Sequence, residues 1–156
     1  MYLGIDLGTS SMKCLLINDK QEICESTSHK IDIMNPKSGW SEQNPSSWVE
    51  ALKKCLADLS KKINLSEIKA VSFSGHMHGA TCLDENYVPL RPCILWNDTR
   101  SFAECDIIMQ NPKLLDISGN LAMPGFTAPK LLWMKNNEPE IFSQVAKVLL
   151  PKDKMN

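Results

Sequence analysis

The chain opens on a pattern of three short apolar stretches separated by polar turns. Mostly apolar residues occupy 2–6 and 12–17, and a polar turn at 8–11 lies between them. A second turn at 18–20 precedes a partly alternating stretch at 21–28. Short apolar or alternating runs bounded by turn residues are typical of β-strands. The pattern predicts a three-stranded meander at the start of the chain.

A helix is predicted next, after a loop at 36–43. Asn44 is a good cap residue, and Pro45 suits the first helical position, where no backbone N–H is needed. Apolar residues then recur at spacings of three and four, which makes one stripe of an amphipathic helix: Trp48, Leu52, Cys55, Leu59 and Ile63. The mostly apolar run at 68–73 is bounded by turn residues, and we predict a buried strand there.

The second half of the chain mixes short strands with helices. Strands are predicted at 80–83, 93–96 and 145–150, the last closed by Pro151. A helix is predicted at 98–110. Thr127 is expected to cap a further helix that carries Pro129 in its first turn and ends before Pro139. This order of elements predicts an α/β domain with a mixed β-sheet.

Composition narrows the range of functions. The 156 residues carry a net charge of −1, and 43% are hydrophobic. Lys and Arg are dispersed and no apolar run approaches the roughly 20 residues of a membrane helix, so we expect no nucleic acid and no membrane partner. The start lacks a signal-peptide pattern, which predicts a cytoplasmic protein. The cysteines form no C-x-x-C pair and are expected to be reduced and mostly buried: Cys14, Cys24, Cys55, Cys82, Cys93 and Cys105.

The first candidate site is the polar turn after the first strand. Asp6 ends the strand, Gly8 and Thr9 lie in the turn, and Lys13 follows on the next strand. Phosphates bind to backbone N–H groups and hydroxyls, and Gly lets a backbone approach closely. A carboxylate beside them can hold Mg²⁺, directly or through water. The alternative is a plain hairpin whose turn happens to be polar.

The second candidate site is the loop at 75–79, which reads Gly-His-Met-His-Gly. It follows a predicted strand, and ligands of α/β folds bind at the carboxyl ends of strands. Its imidazoles could hydrogen bond to sugar hydroxyls. Two histidines one residue apart could instead bind a metal, although no Cys or carboxylate has convincing ligand spacing nearby. A solvated loop with a core methionine is the third interpretation.

Two further segments are weaker on their own. Trp96, Asn97 and Asp98 could form a sugar wall, since an indole covers C–H surface and the polar groups bind hydroxyls. Equally, Trp96 could be a core residue and Asn97 or Asp98 a helix cap. The segment 123–133 is a Pro/Gly loop that leads into a helix.

Taken together and in this order, these segments resemble the sugar kinases of the carbohydrate-kinase family that includes the kinases of xylulose, gluconate and glycerol. The shared pattern runs from Gly125 through Lys130 to Asn137. Within the family, the loop at 75–81 with 95–98 is most similar to the kinases of D-xylulose, although these carry Gln where this chain has His76. Glycerol kinases carry Arg-Glu at the two positions that follow.

The resemblance implies a ribonuclease H-like, actin-like ATPase domain. Residues 1–156 would be the incomplete N-terminal sugar-binding domain of a two-domain kinase that uses ATP and Mg²⁺ to phosphorylate D-xylulose at its C5 hydroxyl. The catalytic base, an Asp, would lie beyond residue 156, so we expect the chain alone to fold but to be inactive. A homodimer of the full-length enzyme is compatible with the resemblance.

The resemblance also assigns roles to individual residues. The sugar would contact Met77, His78, Trp96, Asn97, Asp98 and Phe126. The ATP phosphates would contact Gly8, Thr9 and Lys13, and Asp6 would support catalysis and hold Mg²⁺, directly or through water. Three alternatives remain open: a kinase of another ketose or a sugar acid, a non-catalytic sugar-binding protein, and an actin-like ATPase without a sugar site.

Overall fold

The computed structural model describes residues 1–155, and its first three strands form the predicted antiparallel meander. They are β1 (Tyr2–Leu7), β2 (Ser11–Ile17) and β3 (Ile23–Lys30). The third strand begins and ends two residues later than predicted. Side chains alternate in burial along β1, with Leu3, Ile5 and Leu7 buried on one face, as the two-residue period of a strand requires.

The predicted amphipathic helix is confirmed as α1 (Pro45–Ser60). Asn44 caps it, because its side-chain oxygen accepts a hydrogen bond from the Ser46 amide at 3.1 Å. Trp48, Cys55 and Leu59 are fully buried and belong to the cluster that joins α1 to the inner face of the meander. A short 3-10 helix (Leu65–Glu67) leads back to the sheet.

The fourth strand of the sheet, β5 (Ala70–Gly75), runs parallel to β1. The strand order is β3-β2-β1-β5, so the sheet is mixed, as predicted. The prediction of a buried strand was wrong: Val71 is 50% exposed. The reason is position, since β5 lies at an edge and pairs only with β1.

Two small two-stranded sheets complete the strand content of residues 1–155. In the first, β4 (Glu42–Gln43) pairs with β7 (Cys93–Ile94), so the predicted loop at 36–43 ends in a strand. In the second, β6 (Thr81–Leu83) pairs with β8 (Lys147–Leu149). Pro151 does close the last strand, but it also begins a short helix, α6 (Pro151–Lys154).

The remaining helices are α2 (Phe102–Met109), α3 (Leu114–Ser118), α4 (Thr127–Asn137) and α5 (Pro139–Phe142). The helix predicted from 98 therefore starts four residues later. The prediction that Thr127 caps α4 was wrong. Phe126 occupies the cap position, and the Thr127 hydroxyl bonds to another loop instead.

A second core lies between α4 and the small sheets. It consists of the buried side chains of Cys82, Ile94, Trp133 and Met134. All six cysteines are free thiols, and Cys24 alone among them is exposed, which bears out the expectation of mostly buried, reduced residues. Within residues 1–155, no helix is both long and apolar enough to cross a membrane.

Candidate functional site

The turn between β1 and β2 offers free backbone donors. The Gly8 amide donates to the Ser11 carbonyl at 3.0 Å and closes the turn. The amides of Thr9 and Ser10 donate to no protein atom within residues 1–155. A β-carbon on Gly8 would lie 3.1 Å from the Ser11 oxygen, so the tight turn favours glycine. Unpaired N–H groups in a turn are the donors that a phosphate oxygen needs.

Polar side chains of three adjacent strands line up beside this turn. Asp6 on β1 is paired in register with Lys13 on β2 and with Ser74 on β5. All three are exposed, on the face of the sheet opposite α1, and they line a shallow depression of about 230 Å³. This row sets a carboxylate, an ammonium and a hydroxyl along the strand ends that border the turn.

A chain of hydrogen bonds anchors the turn from the protein interior. The Trp48 indole donates to the Gln43 side-chain oxygen at 3.0 Å, and the Gln43 amide donates to the Thr9 carbonyl at 2.6 Å. From the other side, the Trp96 indole donates to the Thr9 hydroxyl at 2.9 Å. Thr9 is therefore held by its carbonyl and its hydroxyl, while its amide stays available.

The loop after β5 leaves the sheet beside the same turn. A β-carbon on Gly75 would lie 2.8 Å from the Leu7 side chain, so the loop can pass this close only with glycine. Met77 is 54% exposed and His78 is partly buried. The His78 carbonyl accepts hydrogen bonds from the Lys130 ammonium at 2.7 Å and from the Thr127 hydroxyl at 3.1 Å. The loop is thus fixed through its backbone, which leaves the Met77 side chain exposed and the His78 side chain partly buried.

The Pro/Gly loop before α4 joins the His78 loop to Trp96. The rings of His78 and Phe126 are in contact, with centroids 4.6 Å apart. A β-carbon on Gly125 would lie 2.4 Å from the Trp96 carbonyl oxygen. His78 and Phe126 also border a cleft of about 400 Å³ whose other walls come from α2, α3 and α4. The structure therefore brings together His78, Trp96 and Phe126, from three separate segments, and Met77 precedes His78 in its loop.

Asn97 and Asp98 differ in where their side chains lie. Asn97 is exposed beside Trp96, but Asp98 is 1% exposed. The Asp98 carboxylate accepts a hydrogen bond from the Ser41 amide at 2.6 Å and from the Arg100 guanidinium at 2.7 Å. These contacts correct the prediction for Asp98: its carboxylate orders the loop behind Trp96 and is turned away from the open surface.

His76 lies beneath the site, and its environment is unusual. It is 8% exposed and packs edge-on against Trp48, yet neither ring nitrogen has a hydrogen-bond partner within residues 1–155. Burial, together with the charge of Lys130, lowers its pKa to about 4, although the Asp6 carboxylate acts in the opposite direction. His76 is consequently neutral at pH 7.

Two residues next to the site were given no role in it from the sequence, although Lys130 belongs to the shared family pattern. Gln43 carries a polar side chain just before α1, and Lys130 is a single cation on an otherwise apolar helix face. Both are fully buried. The signal for Lys130 was present in the sequence, because an isolated charge among apolar residues in a buried helix turn requires a partner.

The site suits a magnesium ion that is carried by phosphates. The Asp6 carboxylate is exposed and has no ion-pair partner within residues 1–155. The described residues contain no group of three His, Cys, Asp or Glu side chains that could hold a metal. Mg²⁺ often keeps several waters and binds through one or two carboxylates and the phosphates of its substrate. One free carboxylate beside the predicted phosphate turn fits that mode.

The whole chain, residues 1–156, matches the model described as the N-terminal domain of the FGGY family of carbohydrate kinases. The chain belongs to the FGGY family. The resemblance drawn from the motifs is confirmed, and so is the predicted α/β fold with a mixed sheet, of the actin-like ATPase type.

Individual FGGY kinases are closely similar to this chain in sequence and in structure. The xylulose kinases of Escherichia coli (strain K12) and Klebsiella pneumoniae are 48% and 47% identical to this chain over 154 residues. Each alignment covers 98% of this chain and 32% of the relative. The solved structure of a kinase from Brucella ovis, described as a xyloylose kinase, superposes with a TM-score of 0.96 at 46% identity. That match covers 99% of this chain and 33% of the other. The chain thus spans about a third of the length of these FGGY relatives.

Proposed function

We propose that this chain forms the N-terminal, sugar-binding domain of an ATP-dependent kinase that converts D-xylulose to D-xylulose 5-phosphate. The observation that carries the proposal is the hydrogen bond between Trp96 and Thr9, because it sets the predicted sugar wall beside the predicted phosphate turn. Phosphoryl transfer depends mainly on placing the acceptor hydroxyl in line with the γ-phosphate. The names of the relatives support xylulose as the sugar, and the D enantiomer is what the family resemblance implies.

The sugar half of the site would use one apolar and one polar wall. The exposed indole of Trp96 and the ring of Phe126 offer surface to the C–H groups of the sugar chain. His78 and Asn97 can hydrogen bond to hydroxyls. Met77, next to His78 in the loop, would cover the carbon chain of the sugar. Asp98 is proposed to act indirectly, by ordering the backbone that carries Trp96 and Asn97.

The phosphate half would use the turn and the polar row beside it. The free amides of Thr9 and Ser10 would donate to a phosphate oxygen, and Gly8 lets the phosphate approach the backbone. The Lys13 ammonium would add positive charge from β2. Asp6 would hold Mg²⁺, whose charge offsets the negative charge that accumulates on the transferring phosphoryl group.

Two further components of the reaction are expected elsewhere. The family resemblance assigns them to the two thirds of the relatives' length that this chain does not span. They are the base that takes the proton of the attacking hydroxyl and the adenosine pocket. We therefore expect the 156-residue chain by itself to transfer no phosphate, since transfer needs nucleophile, base and γ-phosphate to be held together.

A coupled ADP-release assay tests the proposal. The complete natural protein that carries this sequence would be supplied with MgATP and a panel of D-xylulose, D-ribulose, L-ribulose, D-gluconate and glycerol. The highest kcat/KM is expected for D-xylulose, with D-xylulose 5-phosphate as the product. A clear preference for another ketose or for gluconate would replace the substrate. ATP turnover that no sugar stimulates would instead indicate an actin-like ATPase.

Two further proposals concern the setting of the enzyme. We place it in the cytoplasm, where ATP is available, and cell fractionation with an antibody against the chain tests that assignment. We propose a homodimer for the complete protein, and light scattering on the purified sample would distinguish it from a monomer.

A further inference from the structure

Lys130 is a cation in a place that disfavours cations. Its side chain is 0% exposed, and no carboxylate of residues 1–155 lies within ion-pair distance of its ammonium. Its Nζ instead donates to the His78 carbonyl at 2.7 Å and to the Gly125 carbonyl at 2.6 Å. Burial lowers the pKa of Lys130 to about 8, which still leaves the ammonium mostly charged at pH 7.

A buried charge of this kind contributes little to the stability of the fold. Removing a cation from water is costly, and a well-packed apolar side chain of similar size often stabilises a core as well or better. Lysine at this position therefore calls for an explanation in terms of what its ammonium holds. Hydrogen bonds from a charged donor are about twice as strong as neutral ones and are directional.

The two carbonyls belong to two different segments of the candidate sugar site. His78 lies in the loop after β5, and Gly125 lies in the loop that carries Phe126 into α4. One ammonium thus ties together the two loops whose side chains meet in the 4.6 Å contact between the His78 and Phe126 rings. Thr127, on the first turn of the same helix, adds a second bond to the His78 carbonyl at 3.1 Å.

We propose that Lys130 is a positioning residue for the sugar, which acts by holding the His78 and Gly125 backbones at a fixed separation so that the His78 and Phe126 side chains form one binding surface. The proposal rests on the proposed function for its substrate. The role in holding the loops does not depend on that function, because it follows from the two hydrogen bonds and the burial of the ammonium.

The first test is the kinetics of Lys130→Met in the complete protein, with Lys135→Met as the matched control. Methionine keeps the length of the side chain and removes the ammonium, and Lys135 is an exposed lysine on the same helix. We expect the KM for D-xylulose to rise by about ten- to a hundredfold, the range for losing hydrogen bonds from a charged group, while the KM for ATP changes less than about twofold. The control is expected to match the wild type.

Thr127→Val is a milder variant that keeps the lysine and removes the second bond to His78. If Lys130→Met does not fold, Thr127→Val still tests the proposal. We expect a rise of about two- to tenfold in the KM for D-xylulose, again without a matching change for ATP. Equal changes in both KM values, or none in either, would overturn the positioning role.

The second test needs no substrate. Hydrogen exchange of the backbone amides would be compared between wild type, Thr127→Val and Lys130→Met. We expect faster exchange in segments 76–79 and 123–126, with α1 unchanged and with Lys135→Met indistinguishable from wild type. Exchange that is unaltered in those two segments, or accelerated uniformly, contradicts the proposal. If the wild type does not phosphorylate D-xylulose, the proposed function fails, and this measurement still decides the role of Lys130.

Discussion

The indole N–H of Trp96 donates a hydrogen bond to the hydroxyl of Thr9 at 2.9 Å, across 87 positions of sequence. This bond links the loop after β7 to the turn after β1, and it connects the predicted sugar wall to the predicted phosphate turn. Because the Thr9 carbonyl is bound separately by Gln43, a shift of either wall is transmitted to the turn. Substitutions that leave this bond intact are expected to affect the sugar side or the phosphate side separately.

Replacing Asp6 with Asn tests the phosphate side. We expect kcat of the complete protein to fall by about a hundredfold, because a lost charge contact near the transferring phosphoryl group matters most in the transition state. The KM for D-xylulose should change little. Steady-state kinetics at saturating MgATP measures both, and Asp116→Asn, an exposed substitution on α3, serves as the control. Full retention of kcat would reduce Asp6 to a strand-end residue.

Replacing His78 with Ala tests the sugar side. The variant loses one hydrogen-bonding group and its contact with Phe126, so the KM for D-xylulose is expected to rise about two- to twelvefold. The KM for ATP should stay within error of the wild type. His29→Ala, which removes a histidine paired with Asp58 on the surface of α1, is the matched control. An unchanged KM for D-xylulose would remove His78 from the sugar site.

Replacing Gly125 with Ala tests the close approach of two loops. The added carbon would lie 2.4 Å from the Trp96 carbonyl oxygen, so one backbone has to move. We expect a loss of about 1–3 kcal/mol in the free energy of unfolding, measured by urea denaturation. The control is Gly4→Ala, whose new carbon would lie 3.8 Å from the nearest atom, the Leu15 carbonyl oxygen. Equal stability of the two variants would show that the loops can separate without penalty.

His76 predicts a specific response to acid. Its pKa is about 4 in the folded chain, against 6.5 for the free side chain, so the unfolded chain binds the proton more readily. The contribution of His76 to stability is present above pH 6.5 and is lost as the pH falls toward 4, by at most about 3 kcal/mol. Lys130 adds no slope there, because its pKa of about 8 puts its transition above pH 7.

The measurement is the midpoint of thermal unfolding at pH 7 and at pH 4.5. Wild type should lose more stability between these two values than His76→Gln, which cannot be protonated and keeps a polar side chain of similar length. Comparing the two slopes cancels the titration of surface carboxylates. Parallel slopes would mean that His76 is as easily protonated in the folded chain as in the unfolded one.

The sequence predicted features that depend on local patterns. Asn44 and Pro45 fix the start of α1 within one stretch of chain, whereas the predicted apolar stripe runs to Ile63, three residues past the end of the helix at Ser60. The meander was equally accessible, because its turns and strands alternate over a few residues. The motif comparison singled out the predicted sugar loop and the predicted phosphate turn, since each is a contiguous segment.

Features set by distant neighbours were not predictable in the same way. Val71 is a residue type typical of buried strands, yet it is exposed because β5 lies at the edge of the sheet. Asp98 is a residue type that often binds sugars, but its carboxylate already accepts hydrogen bonds from Arg100 and from the Ser41 amide. Thr127 is a residue type that often caps helices, but its hydroxyl donates to the His78 carbonyl instead. In each case a tertiary partner overrides the local preference.

The exposure of Trp96 also gives the molecule an internal optical probe. The chain has four tryptophans. Trp48 and Trp133 are buried, and Trp40 is covered by the Arg100 guanidinium, which stacks 3.6 Å from its ring. Trp96 is 48% exposed. Iodide should therefore quench Trp96 fluorescence first, and any sugar that settles against this ring would shield it, so that binding can be followed by emission alone, without a label and without turnover.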